Sequence, residues 1–496
     1  MSGNFLRDDS AMALARNLHH NDTLEKLKVG STFWIPVQDV RGQDGDAPDL
    51  RFPKAGLEHV DFLIVGELLR HNSDVKVLDL RGNDMHRLAE IKCLAPALSL
   101  NDSLTELSFV WNTFGPEGME VLADAIVPRN NLKTLTLRAV GVGPGAGALA
   151  LGRIISTSTS LTHVECVLNS LGTQGAQALS DAMRRNNSIT SMNLKNNLMG
   201  DEGAAAMGKA LARASPLTSL NLRENKIEAD GIHALAEGLE NELCPLKELN
   251  LSYNRFGESG AHSLAEMLRL NSVLRRLNVN STKLCSEGAA AIGAMLRVNR
   301  TLAYLSISCK TVGTAGALAI ARALKYNREL QVVQLGVSKL PVQALLGSTS
   351  QTRIDLSNSH LTDMDTGFVA ECLRSNRVCT YLDVSKNNIT NHAVDVLNDA
   401  LQHNVVLKTL KLDELELAVQ VSSPTLCWRR VCVCCVCVCV CLCRVSCSRR
   451  LYDPHRICSV LLARMPSALR GNSCLKKTRC SSLRRSRSTR LCRRWT

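Results

Sequence analysis

Apolar anchor residues recur at Leu104, Leu132, Leu161, Ile189, Leu217, Leu246, Leu274, Leu302 and Leu330, and every step is 28 or 29 residues. A period of this length means that each unit is one supersecondary element stacked on its neighbours. The units open with the pattern L-x-x-L-x-L-x-x-N-x-(I/L/F), as in LTSLNLRENKI from Leu217 and LKELNLSYNRF from Leu246. Leu220 and Leu222 alternate, which predicts a short strand with one buried face. The second half of that unit places Ile232, Leu235, Ala236 and Leu239 at helical spacing after a glycine, Gly231. Strand, turn and helix repeated in one hand predict an α/β solenoid, with parallel strands lining one face and helices the other. Helices are wider than the ~4.8 Å between paired strands, so the stack is expected to bend into a horseshoe with its sheet concave.

The ninth position of the unit is Asn at Asn83, Asn112, Asn169, Asn197, Asn225, Asn254 and Asn387. An amide carries two donors and an acceptor, which suits it to satisfy a turn whose backbone has left the sheet. These asparagines are therefore assigned a structural role. With its Asn ladder and 28- to 29-residue period, the sequence resembles the ribonuclease-inhibitor type of leucine-rich repeat, found also in NOD-like receptors and Ran GTPase-activating proteins. The resemblance covers about residues 4–417. It implies a protein-interaction scaffold or sensor module without catalytic activity. A Ran-type GTPase activator and the repeat region of a truncated NOD-like receptor are the alternatives it leaves open.

Residues 1–418 are expected to form one solenoid of about 14 repeats, with further anchors at Leu24, Val75, position 351, Cys379 and Leu407. Three features depart from the period. Between Leu24 and Val75 there are some 22 residues too many, expected as an insertion loop near residues 33–54. The repeat 330–350 is short, leaving room for one helical turn after Pro341. The ends fall in mid-repeat: residues 4–21 read as the second half of a unit, and LKTLKLDELEL from Leu407 begins one whose helix does not follow.

Residues 419–496 are read as a separate Cys/Arg-rich tail. The net charge of +13 resides there: the tail holds 17 of the 59 Lys and Arg and one of the 46 acids, so it carries +16 and residues 1–418 carry −3. Cysteine divides likewise, 13 in the tail and 7 of the 20 before it. The run VCVCCVCVCVCLC from Val431 is what a GT dinucleotide repeat encodes, and it lacks the C-x₂-C spacing of structural zinc. A frame change or intron read-through after Leu417 is the expectation, and transcript sequences that encode the tail in frame would contradict it. The body cysteines show no pair spacing, MSGNFLRDDS does not open a signal peptide, and no apolar run reaches the ~20 residues of a membrane span. A cytoplasmic protein without membrane or specific nucleic-acid partners is expected.

No catalytic, cofactor or metal constellation is found. Gly203-Ala-Ala-Ala-Met-Gly208-Lys209-Ala210 approaches a phosphate-binding loop, but it lacks the hydroxyl residue after lysine and falls where other repeats place a helix. The glycine run Gly141–Gly147 sits at a normal inter-element turn. His163, His233 and His262 read as surface or helix residues. The candidate site is the concave face, where a protein partner of unknown identity is expected to contact Val110, Trp111, Val167, Leu168, Lys195, Arg223, Glu224, Tyr253 and Arg276. Asn193, Asn221, Asn250 and Asn278 line up there and read as a solvated row.

Overall fold

A computed structural model describes residues 6–412 apart from 30–32, 43–48, 129–130, 214 and 242, together with the backbone of Leu415–Ala418. The alternating first halves of the repeat form strands and the second halves, apolar at helical spacing, form helices. Eleven parallel strands, from Leu50–Arg51 to Val332–Gln334, pair each with the next in chain order, and Lys339–Pro341 closes that sheet antiparallel. A second sheet holds Arg353–Asp355, Tyr381–Asp383 and Thr409–Leu412 in parallel, then Leu415–Ala418 antiparallel. Leu220, Leu249, Leu277 and Leu305 are register partners across four strands. They are buried, as are the helix residues Ile232, Leu235 and Leu239, so the core is a continuous apolar layer between sheet and helices. The architecture is an α/β leucine-rich-repeat solenoid.

The turn asparagines tie each strand end to the next. Asn169 donates its backbone N–H to Asn197 Oδ1 (3.0 Å), Asn197 to Asn225 Oδ1 (2.9 Å), and Asn225 to Asn254 Oδ1 (2.9 Å). Each amide nitrogen also donates back to a strand carbonyl of the preceding repeat, as Asn225 Nδ2 does to Leu194 O (2.9 Å). A second buried asparagine series, missed in the sequence, stands at the helix-to-strand turn, three residues before the anchor. Asn299 Oδ1 accepts from the N–H of Thr301 (3.0 Å) and Leu302 (2.9 Å), and its Nδ2 donates to Leu268 O (2.8 Å). Asn72, Asn101, Asn271, Asn327, Asn376 and Asn404 are bonded alike. Its signal was in plain sight as Asn recurring at a fixed distance before each apolar anchor.

The expected insertion at 33–54 is replaced by regular structure over its described part. Leu50 pairs in register with Leu78, one period later, so a disguised repeat stands one period before Val75, with Leu50, Phe52 and Leu57 at its apolar positions. Ala47 and Ala55 stand where the pattern has Leu and Asn, which hid it. Asn83 Nδ2, from the following repeat, donates to Phe52 O (2.7 Å).

What remains before it is a short hairpin unit. Lys26–Leu27 pairs antiparallel with Ile35–Pro36, and the five-residue helix Val37–Arg41 follows. The short repeat at 330 has the same design: Val332–Gln334 against Lys339–Pro341, then the helix Val342–Leu345. Thr409–Leu412 against Leu415–Ala418 repeats the hairpin with the same partners opposed. The sequences agree, Ile35-Pro-Val-Gln38, Leu340-Pro-Val-Gln343 and Leu417-Ala-Val-Gln420. Each hairpin ends a sheet, because an antiparallel strand occupies the edge on which the next parallel strand would pair. The helix layer nevertheless closes over the short helices: Asp8–Leu18 packs on His59–Leu69, and Gly313–Leu324 on Asp363–Ser375.

The phosphate-loop-like segment lies inside the helix Gly200–Leu211. Gly208 packs against the Ala234 carbonyl, and a Cβ on Gly238 would collide with the Gly208 carbonyl. These glycines permit helices to approach rather than cradle a ligand. The tail from residue 419 lies outside the described residues.

Two stability outcomes follow. Asn225→Ala removes the acceptor of one buried N–H and the donor to one buried carbonyl, so urea unfolding is expected to show a loss of about 2–4 kcal/mol. Gly238→Ala is expected to cost about 1–3 kcal/mol through overpacking. Loss below 0.5 kcal/mol in the first would contradict the ladder's role.

Candidate partner-binding face

The strand pleat sets which side chains leave the core. In Thr134–Arg138, Leu135 and Leu137 are buried while Thr134, Thr136 and Arg138 turn to the open face of the sheet. Parallel register then stacks equivalent positions into rows running across the strands.

One row places Glu248, Arg276 and Tyr304 side by side. Arg276 Nε lies 3.4 Å from Glu248 Oε1, and its guanidinium stacks 4.5 Å over the Tyr304 ring. The Tyr304 hydroxyl donates to Gln334 Oε1 (2.9 Å). A neighbouring group has Lys195 and Arg223 flanking Glu224, with nitrogen–oxygen distances of 3.8 and 3.9 Å, and Arg223 stacked 4.2 Å over Tyr253. Arg353 stacks 3.7 Å over Tyr381 in the second sheet.

The row Asn193, Asn221, Asn250 and Asn278 is not free for solvent in the way expected. Each Oδ1 accepts the backbone N–H two residues later, at 3.0–3.2 Å, closing an Asx turn where the strand ends. Asp355 and Asp383 do the same in the second sheet.

Nearer the N-terminus apolar side chains stand beside Arg138 on the face. Val110, Arg138 and Val167 are register partners. Val167 is a correction to the expected contact residues: it is only 2 % exposed, flanked in register by the long Arg138 side chain, and cannot meet a partner without rearrangement. Val110 and Leu168 are half-buried. Trp111 is 56 % exposed. Its φ is +59°, and the residue at the equivalent repeat position is left-handed as well: Ala139, Leu168, Asn196, Glu224, Tyr253 and Ser281, whether the next residue is the turn asparagine or, as at Val140 and Thr282, its replacement. Gly82 fills this place one repeat earlier, at the lowest steric cost. A tryptophan there contributes nothing the turn requires.

Away from this face, His19, Glu67 and His71 bring three donor atoms within 4.8 Å of one another. They line a cavity of about 490 Å³ with Arg16, His20, Arg41 and Gly42. The buried Glu67 carboxylate lies 3.5 Å from Arg16 and 3.7 Å from Arg70, and His19 Nε2 sits 3.1 Å from the Glu67 carbonyl oxygen. A cation entering there would have to displace guanidinium groups, so the cluster reads as structural. The seven cysteines before the tail are free thiols, and burial pushes the Cys166 thiol up to about 12. His233 and His262 are exposed on helices beside Glu237 and Glu258.

A sequence profile for the Leucine Rich repeat family matches residues 100–123, 185–208, 214–236 and 242–265. No curated protein sequence matches the chain. Among solved structures, Leiomodin-1 Actin-Binding Site 2 (ABS2) is 28% identical over 21% of this chain, with a TM-score of 0.20; the match spans 61% of that structure's own length.

A pH effect follows from the second sheet. Burial opposes ionisation of Asp383, but the Ser385 hydroxyl and N–H and the Lys411 ammonium, 3.1 Å away, outweigh it and hold the carboxyl below the ordinary range. A carboxyl lowered in the folded state contributes stability above its unfolded pKa of about 4 and loses it as pH falls through the folded value. Hydrogen exchange at Ser385, corrected for intrinsic rate, is expected to accelerate below about pH 4, and Asp383→Asn to abolish that dependence; an unchanged profile in the variant would contradict the assignment.

Proposed function

We propose that this leucine-rich-repeat solenoid of ribonuclease-inhibitor type is a protein-binding module that takes its partner on the open face of the larger sheet. The observation that carries the reading is Trp111. A large apolar side chain stands more than half exposed, in a left-handed backbone position that costs a non-glycine residue about 1 kcal/mol or more. Val110 and Leu168 extend the apolar patch, and Lys195, Arg223, Glu224, Tyr253 and Arg276 continue the face toward the C-terminus. Aromatic and arginine side chains are the usual energetic centres of protein interfaces. A rigid scaffold presents them already ordered, which lowers the entropic cost of association.

The reading is of binding rather than catalysis. Several charged groups of the sheet face pair with one another, as Arg276 with Glu248 and Lys195 with Glu224, rather than activating a nucleophile. A cytoplasmic setting is part of the proposal, supported by the seven free thiols. No helix among the described residues is long and apolar enough to cross a membrane.

The test is site-specific photocrosslinking in cells. A photoreactive residue at position 111 should capture a discrete partner, whereas one at Leu270, more exposed still but on an outer helix, should not. With the partner in hand, Trp111→Ala should weaken binding by about tenfold or more, while thermal stability stays nearly constant. Capture at 270 but not 111, or unaltered affinity in the variant, would remove the proposal.

A further inference from the structure

The charge on the sheet face differs in sign from that of the body around it. Across the strand segments from residue 132 to residue 309, the residues between the buried positions include Lys133, Arg138, Lys195, Arg223, Lys247, Arg275 and Arg276. Against these seven bases stand three acids, Glu165, Glu224 and Glu248, and the strand that leads into Trp111 adds a fourth, Glu106, which leaves a surplus of three positive charges. Residues 1–418 taken together carry −3. The strand face is therefore basic while the remainder of residues 1–418 is acidic in sum.

The bases are also prepared to accept an anion. Arg223 and Arg276 hold their guanidinium carbons 4.2 and 4.5 Å from the centres of the Tyr253 and Tyr304 rings, which orders both side chains on the face. Three buried donors on this face, Ser108 Oγ, Arg138 Nε and Arg223 Nε, have no hydrogen-bond acceptor among the described residues. Buried donors without acceptors are rare in folded proteins, and a carboxylate-bearing ligand would supply what they lack once the side chains covering them shift.

Resting on the sheet-face reading above, we infer that the partner docks through an acidic segment with one apolar anchor, its carboxylates meeting Arg138, Arg223 and Arg276 and its apolar residue packing on Trp111. The dimensions suit an extended peptide. Arg138 and Arg223 hold the same repeat position three strands apart, and Arg276 lies two strands further on but four residues back along its strand. At ~4.8 Å per strand and ~3.3 Å per residue the three span roughly 27 Å on a slant, or about eight extended residues. A basic partner would meet like charge at the same three points, so the face discriminates by sign as well as by shape.

The experiment pans the full-length chain against a random dodecapeptide library, then measures the recovered peptides by fluorescence anisotropy on the wild type, Trp111→Ala, Arg223→Ala, Arg276→Ala and Arg297→Ala. Arg297 is a control, because it stacks on Tyr326 in the same way but follows an outer helix. The expected result is peptides enriched in Asp and Glu around one large apolar residue, weakened at least about fivefold by Arg223→Ala and Arg276→Ala and unchanged by Arg297→Ala. Their affinity should fall with salt. Acidic peptides that bind all five proteins equally are held by the basic tail and overturn the inference. Peptides that need Trp111 yet show no acidic enrichment and no loss with the arginine variants overturn it while leaving the sheet-face reading intact. Peptides indifferent to every sheet-face variant sink both.

Discussion

The backbone N–H of one turn bonded to the asparagine amide of the next is the interaction on which the solenoid depends. A parallel strand that stops after three to five residues leaves its terminal N–H and C=O groups inside the protein with no ladder partner, at a cost of 1–3 kcal/mol for each group left unmet. Asn197 meets three such needs at once, accepting from Asn169 and donating to Cys166 and Leu194. The second asparagine series does the same at the other end of the strand. Between them the two series specify where each strand begins and ends, and therefore which residues are presented on the open face. Without that fixed length the rows Glu248–Arg276–Tyr304 and Val110–Arg138–Val167 would have no reason to align.

The hairpin units show how the array is interrupted. Where Pro follows an apolar residue in Ile35-Pro-Val-Gln38 and Leu340-Pro-Val-Gln343, the strand turns back on its neighbour and the outer helix shrinks to five or four residues. Asn72 and Asn376, one turn further on, donate to the carbonyls at the ends of those short helices. The sheet stops but the helix layer and the asparagine series continue, so the core runs past the break. The face available to a partner is thereby divided into a long sheet and a short one.

Much of this was legible in the sequence, and the remainder was hidden for identifiable reasons. The 28- and 29-residue period gave strand and helix positions because a burial pattern with two alternating periods admits few other structures. The repeat one period before Val75 escaped notice because alanine replaced both of its marker residues, and its neighbour's Asn83 supplies the missing amide. The face was harder to read. Alternation identifies which residues leave the core but not what they then touch, so Val167 read as a contact although it is covered, and Asn193 to Asn278 read as solvated although they bond their own turns. The stacking of Arg276 on Tyr304 depends on register between strands 28 residues apart, which only the folded arrangement displays.

The central claim is that the open sheet face, and not the helical face, receives the partner. Hydrogen–deuterium exchange of the chain alone and with its crosslinked partner addresses it directly. The account predicts new protection in residues 106–111, 134–139, 163–168 and 276–281, with the outer helices unchanged. Protection confined to helices such as Gly257–Leu270 and Ser286–Leu296 would contradict it.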